Sequence, residues 1–100
     1  MKYVLLSADN TPSIYSVPDV VADNLGQYCY EFCRVWLHTS PDAEEYRMDT
    51  GDGVMGVCYD ERDFIKYLNI CVFPDNPSHF IETLDKGISP KYKDCEQFNF

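Results

Sequence analysis

The segment between Pro18 and Pro41 constrains the fold more than any other part of the chain. Val21, Leu25, Tyr28, Cys29, Phe32 and Trp36 stand at offsets 0, 4, 7, 8, 11 and 15, which is one apolar stripe of a helix. Asp23, Gln27, Glu31, Arg34 and His38 lie mostly off that stripe. Asp19 and Asp23 sit near the end where the helix dipole is positive, and Arg34 and His38 near the end where it is negative. Pro18 suits the first helical position, where its missing N–H is not needed. The spacing predicts a helix from Asp19 to His38, closed by Ser40-Pro41 and followed by a short turn through Tyr46. Gly26 weakens its interior by about 1 kcal/mol relative to alanine and leaves room for a close contact.

A face that apolar must be covered, and the rest of the chain supplies the cover. Phe64, Tyr67, Leu68, Cys71 and Val72 recur at 0, 3, 4, 7 and 8, predicting a second amphipathic helix. Asp60 is placed to cap it, with Asp63 in the third helical position, and Pro74 stops it. Lys2–Ser7 and Ser13–Val17 are rich in strand formers around the turn-prone Asp9-Asn10-Thr11-Pro12 and read as a hairpin. Glu45–Met48 and Val54–Tyr59 read as strands flanking the turn cluster Asp49-Thr50-Gly51-Asp52-Gly53. His79–Leu84 and Cys95–Phe100 complete the set, with a turn at Asp85-Lys86-Gly87 between them. An extended tail projects Phe98 and Phe100 to one face and docks the terminus. The order ββα-ββα-ββ predicts an α+β fold, an antiparallel sheet with both helices on one face.

With 100 residues, the whole chain 1–100 is expected to form a single domain, since two halves would each lack a useful core. Its fifteen aromatics argue for a packed interior. Eight Lys and Arg stand against seventeen Asp and Glu, a formal charge of -9. That balance argues against direct nucleic-acid binding, which depends on phosphate neutralisation, and against attraction to an anionic membrane. Five cysteines cannot all pair within one chain, and no signal peptide or apolar run long enough to span a bilayer is seen. A cytoplasmic location with reduced thiols is expected.

None of the chemical motifs completes a catalytic or metal-binding set. Asp49-Thr50-Gly51 matches the tripeptide of aspartic proteases, but that chemistry needs paired aspartates on a nearly all-β scaffold, so a hairpin turn is the expected role. An EF-hand loop starting at Asp49 would have glycine at positions 3 and 5 and aspartate at position 12, against the required ligands. Cys29 and Cys33 are a helical turn apart, yet no second ligand pair accompanies them, so they are expected to pack. Cys95 has Lys91 and Lys93 nearby, without an identifiable base and orienter. No glycine-rich phosphate loop is present. The expectation is a non-catalytic protein with no metal and no cofactor.

Charge distribution is the most informative feature. Between Asp42 and Asp63 lie eight acids, at 42, 44, 45, 49, 52, 60, 61 and 63, against Arg47 and Arg62, so this block carries -6 of the total charge. The acids fall on turns and helix starts and are expected to be exposed together. Asp42, Glu44, Glu45, Asp49, Asp52, Asp60 and Glu61 are therefore the candidate partner-binding residues, facing a protein with a basic surface. In its sharpest form the chain mimics nucleic acid. The alternatives are a structural homo-oligomer, such as a homodimer, built on surplus aromatic surface, and a small hydrolase using Asp49 or a cysteine.

Three stretches carry a resemblance: Tyr28-x-x-Glu31-Phe32-Cys33, Cys58-Tyr59-x-x-x-Asp63-Phe64-Ile65-x-Tyr67-Leu68-Asn69, and the tail Pro90-x-Tyr92-Lys93-x-Cys95-x-x-Phe98-Asn99-Phe100. They resemble a family of short uncharacterised proteins of Gram-positive gut bacteria and their mobile elements. The resemblance implies a bacterial, cytosolic accessory protein and brings no activity or functional residue with it. Small acidic proteins of such origin include anti-CRISPR and other host-defence inhibitors.

Overall fold

In the computed structural model the described residues are 1–8, 11–49, 55–84 and 90–100, with Asp49 and Met55 described by backbone alone. In chain order the elements are β1 (Lys2–Ser7), β2 (Ser13–Val17), α1 (Asp19–Asp23), α2 (Leu25–Tyr30), a π-helical stretch Glu31–Trp36 and α3 (Leu37–Thr39). A 3-10 turn at Pro41–Tyr46, β3 (Arg47–Asp49), β4 (Met55–Val57), α4 (Glu61–Tyr67) and a second π-helical stretch Leu68–Val72 follow. β5 (His79–Thr83), a 3-10 turn at Pro90–Tyr92 and β6 (Glu96–Asn99) close the chain. Among the described residues no helix is long and apolar enough to cross a membrane.

The fold is α+β, as expected, but the sheet is mixed rather than antiparallel. Its order is β5-β2-β1-β6. β1 pairs antiparallel with β2, Val4 opposite Tyr15, and parallel with β6, Leu6 opposite Phe98. Among the described residues β3 and β4 pair with each other as a separate two-stranded antiparallel sheet. β5 and β6 occupy opposite edges, and Leu84, Tyr92 and Cys95, from either part of the connection, pack behind β2 and β1 against Ile14 and Leu5. A parallel neighbour can be reached only by a crossover connection.

Alternation along the strands assigns the two faces. Val4, Leu6, Tyr15 and Val17 join Val21, Leu25, Cys29, Phe32, Leu37, Phe64 and Leu68 in the main core, so both helices cover one face, as predicted. Leu5 and Ile14 point the other way and pack with Leu84, Tyr92 and Cys95 in a second, smaller core. Phe98 and Phe100 lie on the helical face, and the Phe100 ring meets Phe32, Tyr59 and Phe64 at centroid distances of 5.9, 5.9 and 5.4 Å.

Both long helices depart from regular α geometry. The first is interrupted at Asn24, whose φ of -132° is not helical and whose side-chain amide donates to the Val20 carbonyl. Further on, the Leu37 N–H reaches back five residues to the Phe32 carbonyl, and in the second helix the Phe73 N–H does the same to Leu68. Each such turn inserts one extra residue. After Phe32 the next fully buried position is therefore Leu37, with Trp36 half-buried, and after Leu68 the inner face passes Cys71, which is exposed. Gly26 makes no close contact: a Cβ there would meet nothing within 4 Å. The strand expected at Glu45–Met48 starts later, at Arg47, because residues 41–46 wind as a 3-10 turn, and the one expected at Val54–Tyr59 ends at Val57. The turns expected at 49–53 and 85–87 fall largely or wholly outside the described residues.

Candidate functional site

Ser40 opens the 3-10 turn by accepting the Asp42 N–H on its hydroxyl, with Pro41 in the first position. Ala43 is fully buried and pins the turn to the core, which leaves Asp42, Glu44 and Glu45 exposed. Arg47, counted in the sequence as a counter-charge to these acids, is occupied elsewhere. Its guanidinium donates to the Leu37 carbonyl at 2.8 Å and to the Ser40 carbonyl, satisfying groups left open where the first helix ends.

Tyr46 organises the surface beside this turn. Its pKa is pushed up to about 12 by burial, then by the charges of Asp63 and Glu45, whose carboxylates also accept from its hydroxyl. Lys66 pairs with Glu45 at 3.7 Å, both side chains exposed. Asp42, Glu45, Tyr46 and Lys66 share a shallow cleft with Trp36, Tyr67, Ile70 and Cys71. The Trp36 ring lies 5.1 Å from Tyr67 and 6.1 Å from Tyr46, and Ile70 is 63% exposed. The result is an apolar centre rimmed by carboxylates.

Two of the expected partner-binding residues do not belong to this surface. Asp60 is half-buried and serves its own helix: it accepts the N–H groups of Arg62 and Asp63 while the Asp63 carboxylate accepts the Asp60 N–H. Arg62 also binds its Oδ2 at 2.8 Å. Burial pushes the Asp60 carboxyl up, but the hydrogen bonds and charge of Arg62 outweigh it and hold the group below its ordinary value. Glu61 was expected to be exposed and is 4% exposed, because the first turn of α4 packs against the sheet. It lines a cleft with Thr11, Ser13, Tyr15, Arg62, Phe80 and Thr83, and its charge, after burial, helps push Tyr15 up to about 12. Asp49 ends β3 by its backbone, and its side chain and all of Asp52 lie outside the described residues. The structure thus brings together Asp42, Glu45 and Asp63, with Glu44 on the same turn.

Tyr46, Trp36 and Ile70 were not among the expected site residues. Their convergence is tertiary, and the only local signal was an aromatic directly after two glutamates.

All five cysteines are free thiols. Burial pushes Cys29 up, and it pushes Cys33 up against the opposing effects of the Tyr59 hydroxyl and the Arg34 charge. Cys95 is likewise raised by burial. These thiols stay protonated at neutral pH, a poor state for attack. Among the described residues no three His, Cys, Asp or Glu side chains are grouped to hold a metal ion. Comparison of the chain with family models, with curated proteins and with solved structures finds no match.

Proposed function

We propose that this chain is a non-catalytic protein-interaction domain that docks on a basic partner through the surface around Tyr46. The observation that carries this reading is the apolar centre of Trp36, Tyr67 and Ile70 rimmed by Asp42 and Glu45, with Asp63 alongside. Aromatic anchors supply most of the affinity at protein interfaces, and charge complementarity raises on-rate and partner specificity. With a formal charge of -9, long-range steering favours a cationic target. A mimic of nucleic acid that blocks a basic nuclease, in the manner of an anti-CRISPR protein, is the sharpest form of the reading. It agrees with the resemblance to small proteins of mobile elements. The raised thiols also favour a non-catalytic role over a cysteine hydrolase.

Affinity capture on the immobilised chain at low and high salt tests the proposal. Basic proteins are expected to be retained at low salt, and lost by the triple reversal of Asp42, Glu44 and Glu45 to Lys and by Ile70→Asp. Retention that ignores both salt and these changes would refute it.

One observation favours self-association as a second reading. β5 is an edge strand whose five residues are all exposed, including Phe80 at 56% and Ile81 at 37%, and open apolar edges recruit further strands. Sedimentation over a range of concentrations separates the readings: a strict monomer rejects the second.

A further inference from the structure

The clefts described above each set acids beside a base: Asp42 and Glu45 beside Lys66, and Glu61 beside Arg62. Another, of about 360 Å³, is lined by Arg34 and His38, with Cys33, Val57, Tyr59, Phe98, Asn99 and Phe100 completing the wall, and carries no acidic side chain. In a chain with seventeen acids against eight bases, this cleft differs from those two in holding basic side chains with no acidic one.

We infer that this cleft binds a small organic monocarboxylate with an aryl or short acyl body. Four elements build it: the π-helical stretch, α3, β4 and β6, with Tyr59 just after β4 and Phe100 just after β6. In a regular helix Cys33 and His38, five residues apart, would diverge, and the wide turn between them brings both to the same wall. Such turns recur at functional sites. Arg34 forms no ion pair among the described residues, and its charge acts instead on Cys33 and Tyr59. Glu31, its neighbour on the helix, does not line this cleft.

The chemistry of the wall selects the ligand. A guanidinium offers two parallel donors matched to a carboxylate. Val57, Tyr59 and Phe98 offer apolar surface for the remainder, the Phe98 and Phe100 rings packing at 4.9 Å. One permanent positive charge balances one negative charge, whereas a phosphate dianion would meet the field of a chain at -9 with too few partners. The volume lies within the range of ligand pockets.

Titration of the full chain with phenylacetate, followed by amide NMR, tests the inference, with 2-phenylethylamine and 2-phenylethanol as matched cationic and neutral probes. Saturable shifts are expected at Cys33, Arg34, His38, Val57, Tyr59 and Phe98 with phenylacetate alone. Arg34→Gln is expected to weaken binding about tenfold or more, the loss typical of one charged hydrogen-bonding group, and Arg34→Lys by less. Arg34 is exposed, and unchanged circular dichroism verifies that the variants fold. No saturable shift with phenylacetate, an equal response to the amine or the alcohol, or undiminished binding by Arg34→Gln would each overturn it.

Discussion

At Asp60 a single carboxylate accepts two backbone N–H groups and a guanidinium, and Asp63 returns the bond to the Asp60 N–H. This reciprocal cap was legible from the spacing of the two aspartates. What spacing does not reveal is that Asp60 is half-buried, with its carboxylate engaged in the cap. Arg47 reads as a counter-charge for a similar reason, since its carbonyl partners Leu37 and Ser40 become neighbours only once the helix has ended. Asp60→Ala is expected to lower stability by about 1 kcal/mol, read from urea denaturation. A second expectation concerns pH. The folded-state pKa of Asp60 lies below its usual value of 3.8, so its ionised form stabilises the fold above that value, and the contribution disappears as pH falls through the lower folded-state pKa. Asp60→Asn retains an acceptor for the cap without the charge. Its deficit relative to the parent chain is expected at pH 7 and should shrink in acid below the ordinary value, in paired denaturation curves. A deficit that does not change with pH would show that the charge plays no part.

Periodicity identified both long helices and most of their buried residues, and failed where the helix itself changes pitch. A spacing of 3.6 puts Trp36 and Cys71 on the inner faces. The π-helical turns add a residue each, bringing Leu37 fully inside and turning Cys71 out. No residue type marks such a turn in advance, because it is selected by packing against the sheet. Cys29 precedes the first of these turns and stays buried, as its place on the stripe implied. Serine substitution separates the two thiols. Cys29→Ser introduces a hydroxyl into the core and is expected to cost about 1–3 kcal/mol, whereas Cys71→Ser should stay within about 0.5 kcal/mol of the parent. Gly26 offers the opposite sign. It sits in α2 with open space where a Cβ would project, so Gly26→Ala is expected to stabilise by about 0.5–1 kcal/mol. A thermal scan showing a lower midpoint would reveal a contact that geometry does not contain.

At the scale of the whole molecule the class of fold could be read from the order of elements, and the arrangement of strands could not. The place of β6 goes with the second core behind β2 and β1, and the residues that form it, Leu5, Ile14, Leu84, Tyr92 and Cys95, make no pattern along the chain. Net charge, by contrast, is fully legible and acts on the molecule as a unit. At -9 the folded chain repels itself more strongly than its expanded state does. Among the described residues few ion pairs offset this, and Lys66–Glu45 is an exposed one, worth little. Salt shortens the Debye length from about 30 Å at 0.01 M to about 8 Å at 0.15 M, so the melting temperature is expected to rise over that range. Reversing Asp42, Glu44 and Glu45 to Lys adds two charges at each position and brings the chain from -9 to -3. That variant should melt higher at low salt and respond less to added salt. If it also loses the partner, the carboxylates rimming Trp36 and Ile70 persist at the expense of stability, as functional surfaces do. If it melts lower, these acids are part of the scaffold and the docking role assigned to them fails.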